Sequence, residues 1–203
     1  MASAAQTTEP KARDVSRRTI LNQTARLLVE RGYASTSLRD IAAATGMKAG
    51  SLYYHFDSKD SLVETVLAEG ISLVEEQVHA ALDAHPDAPP LDRIRLAMAA
   101  HLRALHDSGD YASAHIRCYA HMPPDAMKRL HALREGYDAL WRDLIDAAQA
   151  AGALAQDTNP RTLRFAVLGM MNWTLEWRRG KDGSPEELAD QFFGIVFRRR
   201  AGF

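Results

Sequence analysis

The stretch GMKAGSLYYHFDSKDSL, from Gly46 to Leu62, decides how the first part of this chain folds. A turn of small residues opens it, a short segment with two tyrosines and a histidine follows, and Ser58 can then cap a further helix. Gly46 can adopt the positive φ that a sharp corner between helices requires, because it has no Cβ. The stretch therefore predicts a corner, a short helix over about Lys48 to Phe56, and a long helix that begins after Ser58.

Two more helices are predicted before the corner. Apolar residues recur every three or four positions from about Ser16 to Arg31, and Gly32 can end this helix. A second helix starts after the possible cap Ser37 and ends at Gly46. Three short helices, the last two joined by a turn that contains glycine, are typical of a helix-turn-helix unit.

Helical periodicity continues through the rest of the chain, and no segment shows the alternation of a strand. The pattern predicts an all-α protein of about nine helices. The expected organisation is a flexible N-terminal arm over residues 1–15, a helix-turn-helix domain over 16–57, and a helical body over 58–203. The long fourth helix, from Ser58 to about Asp83, would join the last two parts.

The 203 residues carry a net charge of −1, but the charge is unevenly placed. Residues 1–57 contain eight Lys or Arg against five Asp or Glu, while the remainder is acidic. The excess of basic residues in this N-terminal part favours an anionic partner. On charge alone, however, a random distribution of charged residues explains the excess equally well. A single cysteine, Cys118, and the lack of a long apolar run predict a soluble, cytoplasmic protein without a membrane partner.

The predicted third helix has a surface suited to contact with DNA. Eight residues at about 1.5 Å each extend roughly 12 Å, close to the width of the major groove. Hydroxyl, imidazole and ammonium groups can donate to phosphate oxygens. We expect Phe56 to pack inward, and of Tyr53 and Tyr54 we expect one to pack partly and one to reach the duplex. The predicted surface positions are Lys48, Ala49, Ser51, Tyr53 and His55, with Lys59 adding its charge at the start of the fourth helix.

Three consecutive motifs carry a resemblance to a known family. They are ARLLVERGY from Ala25 to Tyr33, TSLRDIAAATG from Thr36 to Gly46, and SLYYHFDSKDSL from Ser51 to Leu62. This part of the chain resembles the DNA-binding domain of the TetR family of bacterial transcriptional repressors. The resemblance implies a homodimer whose two recognition helices read a palindromic double-stranded DNA operator. The contact positions that it implies are Arg17, Arg18, Thr36, Ser37, Lys48, Ala49, Ser51, Tyr53, Tyr54, His55 and Lys59.

The last two predicted helices are apolar on more than one face. The helix from Asn159 to Trp177 is apolar nearly all round, so one side can face its own core and the other a second copy. Gly169 would allow a partner helix to approach closely. An ordinary monomer core is the alternative explanation. The predicted dimer interface consists of Leu163, Val167, Gly169, Trp173, Leu188, Phe192, Ile195 and Val196.

Methionine and aromatic residues in the body could line an internal cavity, because such side chains adapt to an apolar guest. The pattern alone favours a closed core instead; the family resemblance implies a pocket for a small-molecule inducer. The runs LGMMNWTLEW and SPEELADQFF are similar to TetR-like repressors that respond to acyl-CoA thioesters. The candidate ligand residues are Met98, Leu102, Leu105, Ile116, Arg117, Tyr119, Met122, Met127, Arg134, Tyr137, Trp141, Met170, Trp173, Trp177 and Arg178, and the predicted cavity also includes Tyr111, Leu130, Leu140, Leu144 and Leu168.

Enzymatic chemistry has no support in the motifs. The sequence contains no G-x-S-x-G elbow, P-loop or dinucleotide fingerprint, and His115 and Cys118 lack the further spacing of a metal site. We therefore predict no catalytic residue, no metal and no cofactor. Two alternatives to a repressor stay open: a helical module that binds a ligand or protein without DNA, and a transcriptional activator. The operator, the regulated genes, the effector and the number of dimers per operator are not encoded in these patterns.

Overall fold

The computed structural model describes residues 9–107, 109–177 and 183–197, with only the helical backbone described over 9–16. The part described contains nine α-helices and no strand, so the all-α prediction is confirmed. The helices are α1 (Glu9–Arg31), α2 (Leu38–Thr45), α3 (Ala49–Leu52), α4 (Lys59–Asp83), α5 (Pro90–Asp107), α6 (Asp110–Cys118), α7 (Pro124–Ala150), α8 (Pro160–Trp177) and α9 (Pro185–Phe197), with a 3-10 turn at Tyr119–His121 between α6 and α7.

Local capping sets the helix ends around the corner. The Ser37 hydroxyl accepts from the Asp40 amide while the Asp40 carboxylate accepts from the Ser37 amide, which is a complete capping box. Gly46 ends α2 with φ 68°, in the left-handed region that a Cβ would disfavour. Ser58 caps α4 by accepting from the Ser61 amide. The predicted boundaries at these three residues are confirmed.

Two boundaries differ from expectation. The first helix begins at Glu9 rather than near Ser16, so residues 9–15 are helical although they were expected in the arm. The third helix is four residues long, not the eight or nine expected from Lys48 to Phe56. After Leu52 the chain tightens into turns in which the His55 and Phe56 amides both donate to the Leu52 carbonyl, each at 2.9 Å. Residues 48–56, called the recognition segment from here on, are therefore one helical turn followed by a compact bend.

The first three helices share one hydrophobic core with α4 and α6. Leu28 of α1, Ile41 of α2 and Leu52 of α3 are almost fully buried against Leu67 of α4 and Cys118 of α6. Met47 and Leu38 pack at the edge of this core, as predicted. The packing is continuous across the expected boundary between residues 57 and 58.

A second core fills the opposite end, around the fully buried Trp141, with contributions from the end of α4 and from α5, α7, α8 and α9. Surface ion pairs fasten α9 to α5: Arg95 with Asp190, and Arg103 with Glu186. In the described residues, no helix combines the length and the apolar character needed to cross a bilayer.

Gly70 sets the distance between α4 and α6. A Cβ built at this position would lie 2.4 Å from the Tyr111 carbonyl oxygen and 2.8 Å from its carbon. Only glycine permits this approach, because both clashing atoms belong to the backbone of α6 and cannot rotate away. The two helices therefore lie close together immediately beside the cavity described below.

Candidate nucleic-acid interface and effector cavity

The recognition segment presents a continuous exposed surface. Lys48, Ala49, Gly50 and Ser51 at its start are exposed. Tyr53 and Tyr54 are 57% and 68% exposed, so both rings lie largely in solvent and neither belongs to the core, although one of them was expected to pack partly. Leu52 and Phe56 occupy the inward positions instead, which turns both tyrosine rings outward. His55 is half-buried, with its ring edge-on to Tyr54 at 5.3 Å.

Thr36 does not belong to this surface. Its side chain is buried, and its hydroxyl donates to the Gly32 carbonyl at 2.8 Å and to the Leu27 carbonyl at 3.3 Å. These bonds satisfy carbonyls at the end of α1, so the expected DNA contact by Thr36 is wrong. Ser37 is exposed next to it, although its side chain is engaged in capping α2.

Lys59 is folded back onto the protein. Its ammonium donates to the Tyr33 carbonyl at 2.6 Å and lies 4.0 Å from the centre of the Tyr33 ring. The Tyr33 hydroxyl in turn donates to Asp60, and burial followed by this hydrogen bond raises the pKa of Tyr33 to about 12. Lys59 thus ties the end of α1 to the start of α4, and a phosphate contact by its ammonium stays a prediction.

The two arginines of α1 are also held by aromatic rings. The Arg17 guanidinium lies 5.0 Å from the centre of the Phe56 ring. Arg18 forms an ion pair with Glu69 at 2.7 Å and lies 5.1 Å from the Tyr111 ring. Arg18 therefore joins α1 to the body, while Arg17 lies beside the recognition segment.

A cavity of about 200 Å³ lies between α4, α5, α6, α7 and α8. Five of the predicted ligand residues line it: Leu105, Ile116, Tyr119, Arg134 and Tyr137. Of the further residues predicted for the cavity, Leu168 lines it, whereas Tyr111, Leu130 and Leu144 are buried in the two cores and Leu140 packs at the edge of the second core. The wall also contains residues that sequence reasoning missed: Gly70, Ile71, Val74, His101, Ala112, His115, Ala120, Asp138 and Asn172. The sequence did contain one signal for these residues. The polar side chains of His101 and Asn172 occur at helix positions where the spacing of the apolar residues predicts an inward face.

The remaining predicted ligand residues lie elsewhere. Met98, Leu102, Met122 and Trp141 are buried in the two cores, and Met127 and Met170 pack at the edges of those cores. Arg117 lies at the surface, where it pairs with Glu176 at 3.1 Å. Trp173 and Trp177 are exposed on the outside of α8. The expected place of these nine residues in the cavity wall is therefore wrong, and Arg178 lies outside the described residues.

His101 is the centre of a buried polar network in the wall. Its Nε2 lies 3.0 Å from the Asn172 Oδ1, which can only accept, and its Nδ1 lies 2.6 Å from the Tyr137 hydroxyl. Burial lowers the pKa of His101 to about 4, so the ring is neutral near pH 7. Nε2 therefore donates to Asn172, Nδ1 accepts from Tyr137, and the three side chains fix one another.

His115 and Arg134 form a second polar group on the α6 and α7 side. Burial, followed by the positive charge of Arg134, lowers the pKa of His115 to about 4, although a hydrogen bond to the Leu67 backbone opposes this change. The Arg134 guanidinium lies 4.5 Å from the centre of the Tyr119 ring, and the His115 ring lies 5.5 Å from the same ring. The wall thus offers a neutral imidazole and a cation beside apolar surface.

The outer surface of α8 and α9 exposes large apolar side chains. Phe165, Trp173 and Ile195 are 51%, 65% and 75% exposed, and Trp177 is 41% exposed. Gly169, between Phe165 and Trp173 on α8, faces open space. Large apolar side chains that stay exposed on these two helices are candidates for burial against a partner.

Three predicted interface residues are not on that surface. Val167, Leu188 and Phe192 are buried in the protomer's own core, because their side chains pack against the other helices of the body. The dimer role expected for them is wrong. Leu163 and Val196 are half-buried at the edge, whereas Gly169, Trp173 and Ile195 are exposed. Among the described residues, no group of three or more His, Cys, Asp or Glu side chains could hold a metal ion.

Comparison with known proteins follows the same division of the chain. Residues 20–66 match bacterial regulatory proteins of the tetR family, and residues 87–199 match the tetracyclin repressor-like C-terminal domain. The chain belongs to the TetR family. It is a ligand-responsive transcriptional repressor with a helix-turn-helix and a helical effector domain, and it is not an enzyme.

Curated relatives extend along the whole chain. The HTH-type transcriptional repressor KstR2 of Rhodococcus jostii (strain RHA1) is 30% identical over 209 residues, covering 93% of this chain and 95% of the relative. The HTH-type transcriptional repressor DhaR of Mycobacterium sp. (strain GP1) is 25% identical over 186 residues, covering 92% of each chain. TetR regulators bind operator DNA and small-molecule effectors as dimers.

Solved structures share the same architecture. AibR in complex with isovaleryl coenzyme A and operator DNA superimposes with a TM-score of 0.80 at 27% identity, covering 90% of this chain and 98% of that chain. The TetR family regulator PfmR from Thermus thermophilus gives a TM-score of 0.79 at 25% identity, with coverage of 90% and 99%.

Proposed function

We propose that this protein represses transcription as a homodimer on a palindromic operator and that an acyl-CoA thioester releases it. The observation that supports an acyl-CoA effector and an operator is the likeness to AibR, a chain of similar fold that holds isovaleryl coenzyme A and operator DNA. The direction of the effect, release from DNA, is our own inference. The cavity supports an acyl-CoA effector, because it places polar groups beside an apolar wall large enough for a short acyl chain.

The recognition segment would enter the major groove. Ala49, Gly50 and Ser51 are small, so the backbone can approach base edges closely. Lys48, Tyr53 and the exposed Tyr54 can donate to phosphates on either side, which positions the segment without reading sequence. Affinity dominated by such contacts falls steeply as salt rises, whereas a helical module without DNA binding would show no such dependence.

The dimer would form through the outer surface of α8 and α9. Trp173 and Phe165 can act as aromatic anchors, and Gly169 between them leaves room for a helix from the second copy. To read successive half-sites, the two recognition segments of such a dimer must lie about one DNA turn apart, roughly 34–36 Å. Ile195 of α9 is a further exposed apolar side chain that a second copy could cover.

Release requires that the effector stabilise a second arrangement. The cavity wall includes Gly70 and Val74 of α4, and α4 packs against the helices that carry the recognition segment. A ligand that displaces α4 relative to α6 would move the helix-turn-helix unit with it. The spacing of the two recognition segments would then no longer match successive half-sites.

An operator titration tests the proposal. The wild-type protein would first select a duplex from random sequences, and a panel of acyl-CoA thioesters would then be added in a gel-shift assay. We expect at least one thioester to weaken binding by about tenfold or more, because coupling free energies between sites are commonly of that size. An unchanged gel shift across short, branched, hydroxylated, aromatic and long-chain thioesters would reject the acyl-CoA effector.

A further inference from the structure

Three side chains on one part of the cavity wall form a connected set: Tyr137, His101 and Asn172. The Tyr137 hydroxyl lies 2.6 Å from the His101 Nδ1, and the His101 Nε2 lies 3.0 Å from the Asn172 Oδ1. The rings of His101 and Tyr137 are also stacked, with their centres 5.9 Å apart. These contacts hold the Asn172 amide in one orientation, with its oxygen turned toward the buried imidazole.

The Asn172 amide still has two N–H donors to offer. Its Oδ1 is engaged by His101, whereas its Nδ2 has no hydrogen-bond partner among the described residues. The Nδ2 is not one of the buried side-chain atoms that lack a partner, so it has accessible surface. Because Asn172 lines the cavity with its oxygen already engaged, it presents a donor to a ligand there. The complementary ligand group is an acceptor, such as a carbonyl oxygen.

Exposure differs around the wall and indicates how a ligand enters. Ile116 and Arg134 are exposed, whereas His101 and Ala112 are buried. The cavity therefore opens beside Ile116 and Arg134 and is closed toward the imidazole that holds Asn172. The Arg134 guanidinium lies 4.5 Å from the centre of the Tyr119 ring, and no carboxylate of the described residues is within ion-pair distance of it. It can hold an anionic group of a ligand at the opening.

Asp138 affects which acceptor suits the space beside Asn172. It lies one helical turn after Arg134 on α7, is half-buried, and lines the same cavity. A free carboxylate drawn in to Asn172 would share this partly desolvated space with the Asp138 carboxylate, and the two negative charges would repel each other. A thioester carbonyl carries no net charge and can still accept from the amide. The charges of the wall therefore favour the thioester over the free acid.

The size of the cavity limits the hydrocarbon that follows the carbonyl. An engineered cavity of about 150 Å³ binds benzene, so the observed volume of about 200 Å³ accommodates roughly six to eight carbon atoms. Ile71, Val74 and Leu168 supply apolar wall. A short or branched acyl chain fits this space.

We propose that Asn172 recognises the acyl carbonyl of the effector: its amide N–H donates to the thioester oxygen, while Arg134 holds a phosphate of the CoA part at the opening. The acyl chain then lies against Ile71 and Val74. This inference rests on the proposed function in taking the cavity as the site of an acyl-CoA thioester, and it names the group of that molecule which the wall reads.

Isothermal titration calorimetry on the full chain, without DNA, tests the role of Asn172. A panel of acyl-CoA thioesters first identifies the one that binds most tightly. Its S-alkyl-CoA thioether, which has a CH₂ group in place of the carbonyl, is the matched probe, and the free acid of the same chain is the third probe. We expect the wild-type protein to bind the thioester about fivefold to tenfold more tightly than the thioether, because the thioether forgoes one hydrogen bond.

Asn172→Asp is the sharpest variant, because it keeps an oxygen for the His101 Nε2–H and replaces the Nδ2 donor with a second acceptor. We expect the preference for the thioester to fall to about one or below, since two acceptors then face each other. Asn172→Leu, which removes both polar atoms, should also reduce the preference to about one. Asn159→Asp is the matched control on the same helix: Asn159 is exposed, its Oδ1 accepts from the Thr162 amide, and aspartate keeps that bond. It should retain the full preference.

The outcomes separate the two proposals. Equal affinity for thioester and thioether in the wild type, an unchanged preference in Asn172→Asp, or no binding of any thioester overturns the role of Asn172. Tighter binding of the free acid than of the thioester overturns the thioester assignment. If the preference is found and the thioester leaves operator binding unchanged in a gel shift, the proposed function fails and the recognition by Asn172 stands. If the thioester releases DNA but binds no better than the thioether, the reverse holds.

Discussion

The Tyr111 hydroxyl donates a hydrogen bond of 2.6 Å to the Asn22 Oδ1, which joins the start of α6 to the middle of α1. The ring of Tyr111 is buried, and its backbone carbonyl is the group that Gly70 approaches. The next residue, Ala112, lines the cavity. The same short segment of α6 therefore contacts the effector site, the long helix α4 and the DNA-binding helices.

Tyr111→Phe removes this hydrogen bond and keeps the buried ring. We expect it to lower the free energy of unfolding by about 0.5–1.5 kcal/mol, because exposed Asn22 can turn to water for a replacement partner. Chemical denaturation followed by circular dichroism measures the change. Tyr53→Phe is the matched control, since its side chain is exposed. Equal stability of the two variants would show that the Tyr111 bond contributes nothing.

Gly70→Ala and Gly136→Ala should shift stability in opposite directions. The first places a Cβ 2.4 Å from a backbone oxygen of α6, and we expect a loss of about 1–3 kcal/mol despite the better helix propensity of alanine. The second meets only the Glu75 carboxylate at 3.5 Å, an ordinary contact, and should gain up to about 1 kcal/mol. Thermal unfolding of both variants checks the prediction; a stabilised Gly70→Ala would contradict the close packing of α4 and α6.

Lys48 and Lys59 should have separate roles. Lys48→Met removes an exposed cation of the recognition segment, so we expect weaker DNA binding and a salt dependence with a slope smaller by about one. Lys59→Met removes the bond to the Tyr33 carbonyl and should cost about 1–2 kcal/mol of stability. Fluorescence anisotropy with a selected duplex and chemical denaturation measure both quantities in each variant. DNA binding unaffected by Lys48→Met would remove the central contact of the proposed interface.

Trp173→Glu should convert the dimer to a monomer. The substitution places a charge in the middle of the exposed apolar patch, where burial against a second copy would be strongly unfavourable. Leu133→Glu, at a partly exposed leucine of α7, serves as the control. Sedimentation velocity at micromolar concentration distinguishes the species. A Trp173→Glu protein that sediments like the wild type would place the dimer interface elsewhere.

Stability should fall as the pH is lowered from about 6.5 toward 4. The pKa values of His101 and His115 are depressed to about 4 in the folded chain, so the unfolded chain binds more protons in this window. Each histidine then contributes a slope of up to about 1.4 kcal/mol per pH unit, and the contribution levels off below pH 4. Denaturation at several pH values measures the slope. His115→Leu should reduce it, whereas His121→Gln, at an exposed histidine, should not.

Caps and corners were predictable because they depend on neighbouring residues. Ser37, Gly46 and Ser58 end or begin helices where the sequence predicts it. The length of α3 was not predictable in the same way, because Leu52 and Phe56 both turn into the core of α1 and α4 and tighten the segment between them. Tertiary packing decided that boundary, and with it the exposure of both tyrosines.

The cavity was harder to predict, because several faces of the body helices are apolar. On α5, Met98 and Leu102 face a closed core while His101 and Leu105 face the cavity. Successive residues differ by about 100° around a helix, so a shift of one position separates a core residue from a lining residue. Only the arrangement of five helices determines which of these faces is left open.

The core that α1, α2 and α3 share with α4 and α6 bears on how hybrid regulators can be built from this protein. A graft that exchanged residues 1–57 alone would cut through the packing around Leu28, Leu67 and Cys118. Transplanted units would need to carry the matching faces of α4 and α6 as well. The exchangeable module for retargeting this sensor to new promoters is thus larger than its DNA-reading helices.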